Sequence, residues 1–135
     1  MMRMTASDFR DLLSALADGW RRRDYAFVAS HFADDVRYGD PTRYALHGRA
    51  ALQAFFTADD DMPQSCTWHT VLFDEAQQRG AAEYTYVGTH QYHGTVLVRV
   101  ESGQITHWRE YQHTDERPWA TFAEATMFPE QPGDE

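Results

Sequence analysis

The run TVLVRVESGQITHWREYQ, from Thr95 to Gln112, decides the fold. It reads as two strands of alternating character, Thr95 to Val100 and Ile105 to Gln112, hinged at the turn-prone pair Ser102-Gly103. Upstream, Cys66 to Phe73 and Ala81 to His90 repeat the pattern, with turns predicted at Gln77–Gly80 and at His93-Gly94. Connections this short join antiparallel neighbours, so the chain from Gln64 onward predicts a four-stranded meander.

The first half has a different period. Phe9, Leu12, Leu13, Leu16, Ala17 and Trp20 fall on one stripe of a helix, which Thr5 or Ser7 can cap and whose positive end Asp8 suits. Asp24 caps a second, shorter helix carrying Tyr25, Val28, Ala29 and Phe32, which ends at Ala33-Asp34-Asp35. Val36 to Gly39 predicts a short strand stopped by Asp40-Pro41, since proline has no ladder donor. An irregular stretch from Thr42 to His47 follows, and Gly48 opens a third helix with Leu52, Phe55 and Phe56 on its apolar side. Beyond Thr114, Trp119, Phe122 and Met127 predict a last partial helix or cover segment. One domain over residues 1–128 is expected, followed by a polar tail, 129–135. Helices first and a meander afterwards give an α+β class, with N-terminal helices packed on a strongly curved, mostly antiparallel sheet and a cone-shaped hollow between them.

The 135 residues carry a formal net charge of −9, and all 12 basic side chains are arginine. A polyanion is repelled by such a chain, and the densest basic run, Arg21-Arg22-Arg23, is accounted for as the complement of a helix C-terminus. No nucleic-acid partner is expected. The single cysteine, Cys66, precludes an intrachain disulfide, and neither a signal pattern nor an apolar run of membrane-spanning length is visible, so a cytoplasmic protein without membrane attachment is expected. His90-x-x-His93 and Cys66-x-x-His69 place their members on opposite faces of a strand, so no metal site is expected, and no phosphate loop or nucleophile elbow points to a cofactor.

Asp24-Tyr25 through Phe32-Ala33-Asp34-Asp35, Tyr38-Gly39-Asp40-Pro41, Gly48-Arg49-Ala50-Ala51-Leu52 and Gly103 to Tyr111 together resemble the nuclear-transport-factor-2-like superfamily, especially SnoaL-like and ketosteroid-isomerase-like domains. The likeness runs over roughly residues 6–113. It implies a cone-shaped α+β barrel around a small-molecule pocket, without a cofactor, in a superfamily that includes isomerases, epoxide hydrolases, dehydratases, polyketide cyclases and members of no known activity. Fold therefore implies a pocket and leaves the reaction open. The superfamily's open sheet face also implies a homodimer, with outward Arg99, His107, Arg109 and Tyr111 at its interface.

By the same resemblance Asp40 stands where the isomerases hold their general base, and aromatic walls would raise its pKa. Leu16 and Val96 occupy the isomerase oxyanion-hole positions and can donate nothing. Against limonene epoxide hydrolase, Tyr38 with Asp40 matches a Tyr-x-Asn pair and Trp108-Arg109-Glu110 the tryptophan-plus-acid element, but Tyr84-Thr85-Tyr86 replaces the Arg-x-Asp pair. His69 with His90 is similar to the histidine pair of scytalone dehydratase. Strand alternation adds that if Trp108 faces inward, so does Glu110, while Tyr84, Tyr86 and His90 share one face of their strand. The expected site is therefore Asp40, Glu110 and His90 as acid/base groups with Tyr38, Tyr84, Tyr86 and Trp108 holding the substrate. Its expected work is isomerisation, dehydration or cyclisation of a small hydrophobic oxygenated molecule, or non-catalytic binding of one.

Overall fold

The computed structural model describes residues 3–128; the expected polar tail lies outside them. Helix α1 spans Ala6–Arg22. Thr5 caps it in a reciprocal box with Asp8, and Arg23 ends it in the left-handed region (φ 57°). Its buried stripe is Phe9, Leu12, Leu13, Leu16 and Trp20, as the sequence period requires. Helix α2 (Tyr25–Ala29) is capped by Asp24 and packs so tightly on α1 that a Cβ at Gly19 would lie 2.6 Å from Val28 Cγ2.

A six-stranded sheet follows in the order β2-β1-β6-β5-β4-β3, made of β1 (Phe32–Asp40), β2 (Tyr44–His47), β3 (Ser65–Asp74), β4 (Arg79–Val87), β5 (Gln91–Glu101) and β6 (Gln104–Thr114). All neighbours are antiparallel except β1 and β6, which run parallel. The sheet is open, with β2 and β3 at its edges. The architecture is the expected α+β cone, with α1 and α3 (Arg49–Thr57) over the inner face.

Several local expectations are corrected. Phe32 does not close α2 but begins β1, where it is fully buried against Trp108 (5.9 Å between ring centroids). The stretch expected to be irregular contains β2, which forms a hairpin with β1. His93-Gly94 is not a turn. Both lie inside β5, and the turn falls earlier, at 88–90. The cover segment after β6 is present as α4 (Trp119–Phe122) with a 3-10 turn at Glu124–Thr126.

The core fills the space between α1 and the sheet. Phe9 stacks on Phe73 at 4.7 Å, and Trp68 donates its indole N–H to the Leu13 carbonyl at 2.8 Å, fixing β3 to the helix. A bulge between Trp68 and Val71 reverses the alternation of β3, so Trp68 faces in and, beyond it, Leu72 is left exposed.

Candidate functional site

The inner face of the sheet and the helices enclose a cavity of about 370 Å³, within the range of small-ligand sites. Alternation along β1, β4 and β6 aims Tyr38, Tyr84, Tyr86, Trp108 and Glu110 into it, and β2, β3 and α2 add Tyr44, Cys66, Trp68 and Tyr25. Tyr38 stacks on Trp108 with planes 6° apart, and Trp108 meets Trp20 and Trp68 edge-on. The walls are therefore stiff aromatic surfaces with hydroxyl tips.

Glu110 closes the deep end and is only 4% exposed. One carboxylate oxygen accepts the Tyr44 hydroxyl; the other accepts the Tyr84 hydroxyl at 3.0 Å and the Trp108 indole N–H at 3.3 Å. Burial pushes its pKa up, the three donors pull against that by favouring the ionised form, and the charge of Asp40 adds to the rise; the result is a carboxyl held above the usual range. Burial and Glu110 likewise keep the Tyr44 and Tyr84 hydroxyls and the Cys66 thiol protonated. The deep end thus sets three hydrogen-bond donors around one carboxyl of raised proton affinity.

Asp40 is brought near this centre but does not line the cavity. It is buried among polar partners, not aromatic walls: the Thr42 amide and hydroxyl donate to Oδ1 at 2.9 and 2.7 Å, and the Gln112 amide approaches Oδ2 at 3.4 Å. Burial raises its pKa, but these donors and Arg43 outweigh that, so its carboxyl sits below the usual value. The expected upward shift is corrected in sign, because Asp40 caps the β1–β2 turn.

His90 is also corrected. It lies in the exposed 88–90 turn, outside the cavity, because β4 stops at Val87. His69 points to the outer face, where its Nε2 meets Thr85 Oγ1 at 2.7 Å and its ring stacks on Trp119 at 4.1 Å. Thr85 also meets Nδ1 of the buried His93 (2.9 Å), whose Nε2 reaches the Arg117 carbonyl at 2.7 Å. A carbonyl only accepts, so for neutral rings the chain runs in one direction: His69 donates to Thr85, Thr85 to His93, and His93 to Arg117. The histidine partnership is thus His69 with His93, on the face away from the cavity, and it pins α4 to the sheet.

At the mouth, Tyr25 donates to Asp59, Gln64 donates to the Tyr25 oxygen at 2.8 Å, and Tyr86 donates to Gln64 at 2.5 Å. Burial and Asp59 push Tyr25 up to about 12. Arg43 stands at the same rim with its guanidinium over the Tyr92 ring, 5.1 Å from the centroid. Sequence reasoning missed Tyr44, Arg43, Gln64 and Asp59. The alternation of Tyr44 and Leu46 with Ala45 and His47 is the signal that could have revealed β2 and, with it, Tyr44. Among the described residues no group of three or more His, Cys, Asp or Glu could hold a metal ion, and no helix is long and apolar enough to cross a membrane.

Among solved structures the chain is similar to a protein of cystatin-like fold and unknown function from Methylobium petroleophilum PM1, at 17% identity and TM-score 0.74, with 97% of each chain covered. It is also similar to an LEH-like epoxide hydrolase of M. tuberculosis, at 17% identity and TM-score 0.69, covering 79% of this chain and 84% of that one. A third similar structure is a protein with a ketosteroid isomerase-like fold from Catenulispora acidiphila DSM 44928, in complex with trimethylamine, at 20% identity and TM-score 0.65, covering 74% and 83%. At these identities the likeness is one of fold. No curated protein matches the sequence. The model of the SnoaL-like domain matches residues 13–108, which hold α1 from Leu13 to Trp108 of β6, and the chain belongs to that family.

Proposed function

We propose that this domain binds a small, hydrophobic, oxygenated molecule in the aromatic cavity and moves a proton on it, with Glu110 as the acid/base group. One observation carries the reading: a carboxyl with a raised pKa, sealed at the closed end of a cavity and flanked by two tyrosine hydroxyls and an indole N–H. When protonated, Glu110 donates to a substrate carbonyl oxygen; when ionised, it removes a proton from the carbon beside that carbonyl. Tyr44 and Tyr84 keep their protons and donate them to the ionised carboxylate; once Glu110 has taken the substrate proton, those hydroxyls are free to turn to the enolate oxygen. Isomerisation, dehydration and aldol-type cyclisation all begin with such a step. Asp40 serves by holding the β1–β2 turn, and through it Tyr44 and Arg43, in place. The similar epoxide hydrolase and the trimethylamine complex lend general support to a small-molecule site.

The test is exchange of the α-protons of beta-tetralone, an aromatic ketone, followed by NMR in deuterated buffer. The wild type is expected to accelerate exchange, and Glu110→Gln to lose at least tenfold of that acceleration. Exchange no faster than buffer sinks the catalytic reading; binding without exchange would leave the domain as a ligand carrier.

We propose also that two copies associate through the outer sheet face. Leu97 (41% exposed) and Tyr111 (48%) project from adjacent strands there, with Arg109 opposite Leu97 and its guanidinium over the Tyr111 ring, and a second copy would cover the two apolar side chains.

A further inference from the structure

The cavity has charged groups at both ends, and they are balanced differently. Asp59 at the mouth is already neutralised, by the Tyr25 hydroxyl and by an ion pair with Arg23 at 3.2 Å. Arg43 is not. Its only charged neighbour among the described residues is Asp40, with 3.9 Å between Arg43 Nε and Asp40 Oδ2. Asp40 Oδ1 takes both Thr42 donors and Oδ2 only the long Gln112 contact, so the carboxylate offsets the charge of the guanidinium from 3.9 Å without a hydrogen bond to its N–H groups. Tyr92 supports it from the other side through a cation–π contact. Arg43 is the cation among the cavity-lining residues, and it brings unused, fork-shaped donors to the rim. Glu110, at the deep end, forms no ion pair with it; its oxygens take the Tyr44, Tyr84 and Trp108 donors instead.

We infer that Arg43 selects ligands carrying a carboxylate at the end opposite the oxygen that meets Glu110. The substrate class is then an aromatic or alicyclic acid: apolar body against Trp20, Trp68 and Trp108, carbonyl or hydroxyl at Glu110, and carboxylate paired with the Arg43 guanidinium at the mouth. The inference rests on the cavity being the ligand site proposed above. It adds that the mouth distinguishes an acid from its neutral ester.

The experiment is calorimetric titration with para-hydroxycinnamate and its methyl ester, which share the ring and the phenol and differ in the anionic end. The wild type is expected to bind the acid about tenfold more tightly than the ester, as one partly solvated charge-assisted contact warrants. Arg43→Gln, a change in an exposed turn, is expected to reduce that ratio to about one. Glu110→Gln is expected to weaken both compounds alike and keep the ratio, which separates the two ends of the site. Equal affinity of the wild type for acid and ester, or a preference that survives Arg43→Gln, overturns the inference. Failure of the wild type to bind either compound overturns the ligand-site reading itself, and this inference with it.

Discussion

Two carboxylates in one small region shift in opposite directions: at Glu110 burial outweighs three donors, while at Asp40 the donors and Arg43 outweigh burial. Glu110 is surrounded by rings and meets three donors; Asp40 is as well hidden but is ringed by amides, a hydroxyl and a guanidinium. For Glu110 the folded pKa lies above the ordinary value of 4.5. Between those two values the unfolded chain releases its proton while the folded chain keeps it. Stability is therefore lost as pH rises through that window and levels off above it. Glu110→Gln removes the slope, so urea midpoints of the variant should gain on the wild type from pH 4.5 upward. Parallel curves would mean that Glu110 titrates normally. Asp40 contributes in a separate, more acid window, its stabilisation being lost as pH falls below its ordinary 3.8. The inward facing of Glu110 was legible in the sequence, two residues beyond Trp108 on an alternating strand. Its Tyr44 partner was not, because Tyr44 reaches it from an edge strand 66 residues away in the chain. Asp40-Pro41 drew attention as a motif, and only the Thr42 contacts reveal it as a turn cap.

Among the elements, the helices and the β3–β6 meander follow from local signals: a capping box, an apolar stripe, and alternation between turn-prone segments. What escaped local reading depends on distant partners. The parallel pairing of β1 with β6, Tyr38 opposite Trp108, joins segments 70 residues apart, a distance read directly from their numbers. The β3 bulge, which sets the facing of His69, leaves no mark in composition. Gly94 shows the same dependence. It was read as a turn residue, yet it lies within β5 opposite Tyr84, with the tyrosine ring laid over it. A Cβ there would stand 2.8 Å from the ring and hydroxyl of Tyr84 and 2.9 Å from the Tyr111 carbonyl, so the ring must leave its place beside Glu110. Gly94→Ala is therefore expected to cost about 1–3 kcal/mol in denaturant unfolding, with weaker ligand binding. A variant within about 0.5 kcal/mol of the wild type would show that β5 accommodates the methyl group by shifting.

On the scale of the whole molecule, the distribution of charge bears on association. The chain is strongly acidic at −9, yet its outer sheet face carries a row of basic side chains in direct cross-strand register: His47 opposite Arg37, Arg37 opposite His107, His107 opposite Arg99, and Arg99 opposite Arg79. Arg99 and Arg79 set like charges directly opposite, which is unfavourable within one copy, and none of the row's arginines is in an ion pair among the described residues. Two such faces meeting squarely would repel. Centred instead on Leu97 and Tyr111, a two-fold contact buries the apolar residues and leaves each arginine row at the rim, where salt screens it within about 10 Å at 0.1 M. Both the net charge and the rows then oppose association at low salt. Light scattering should accordingly find the dimer fraction rising as sodium chloride is raised from about 0.01 to 0.3 M. Leu97→Asp, a change at an exposed position, should hold the chain monomeric throughout. A wild type that stays monomeric at every salt concentration, or a Leu97→Asp variant that still dimerises, would remove the outer face as the site of self-association.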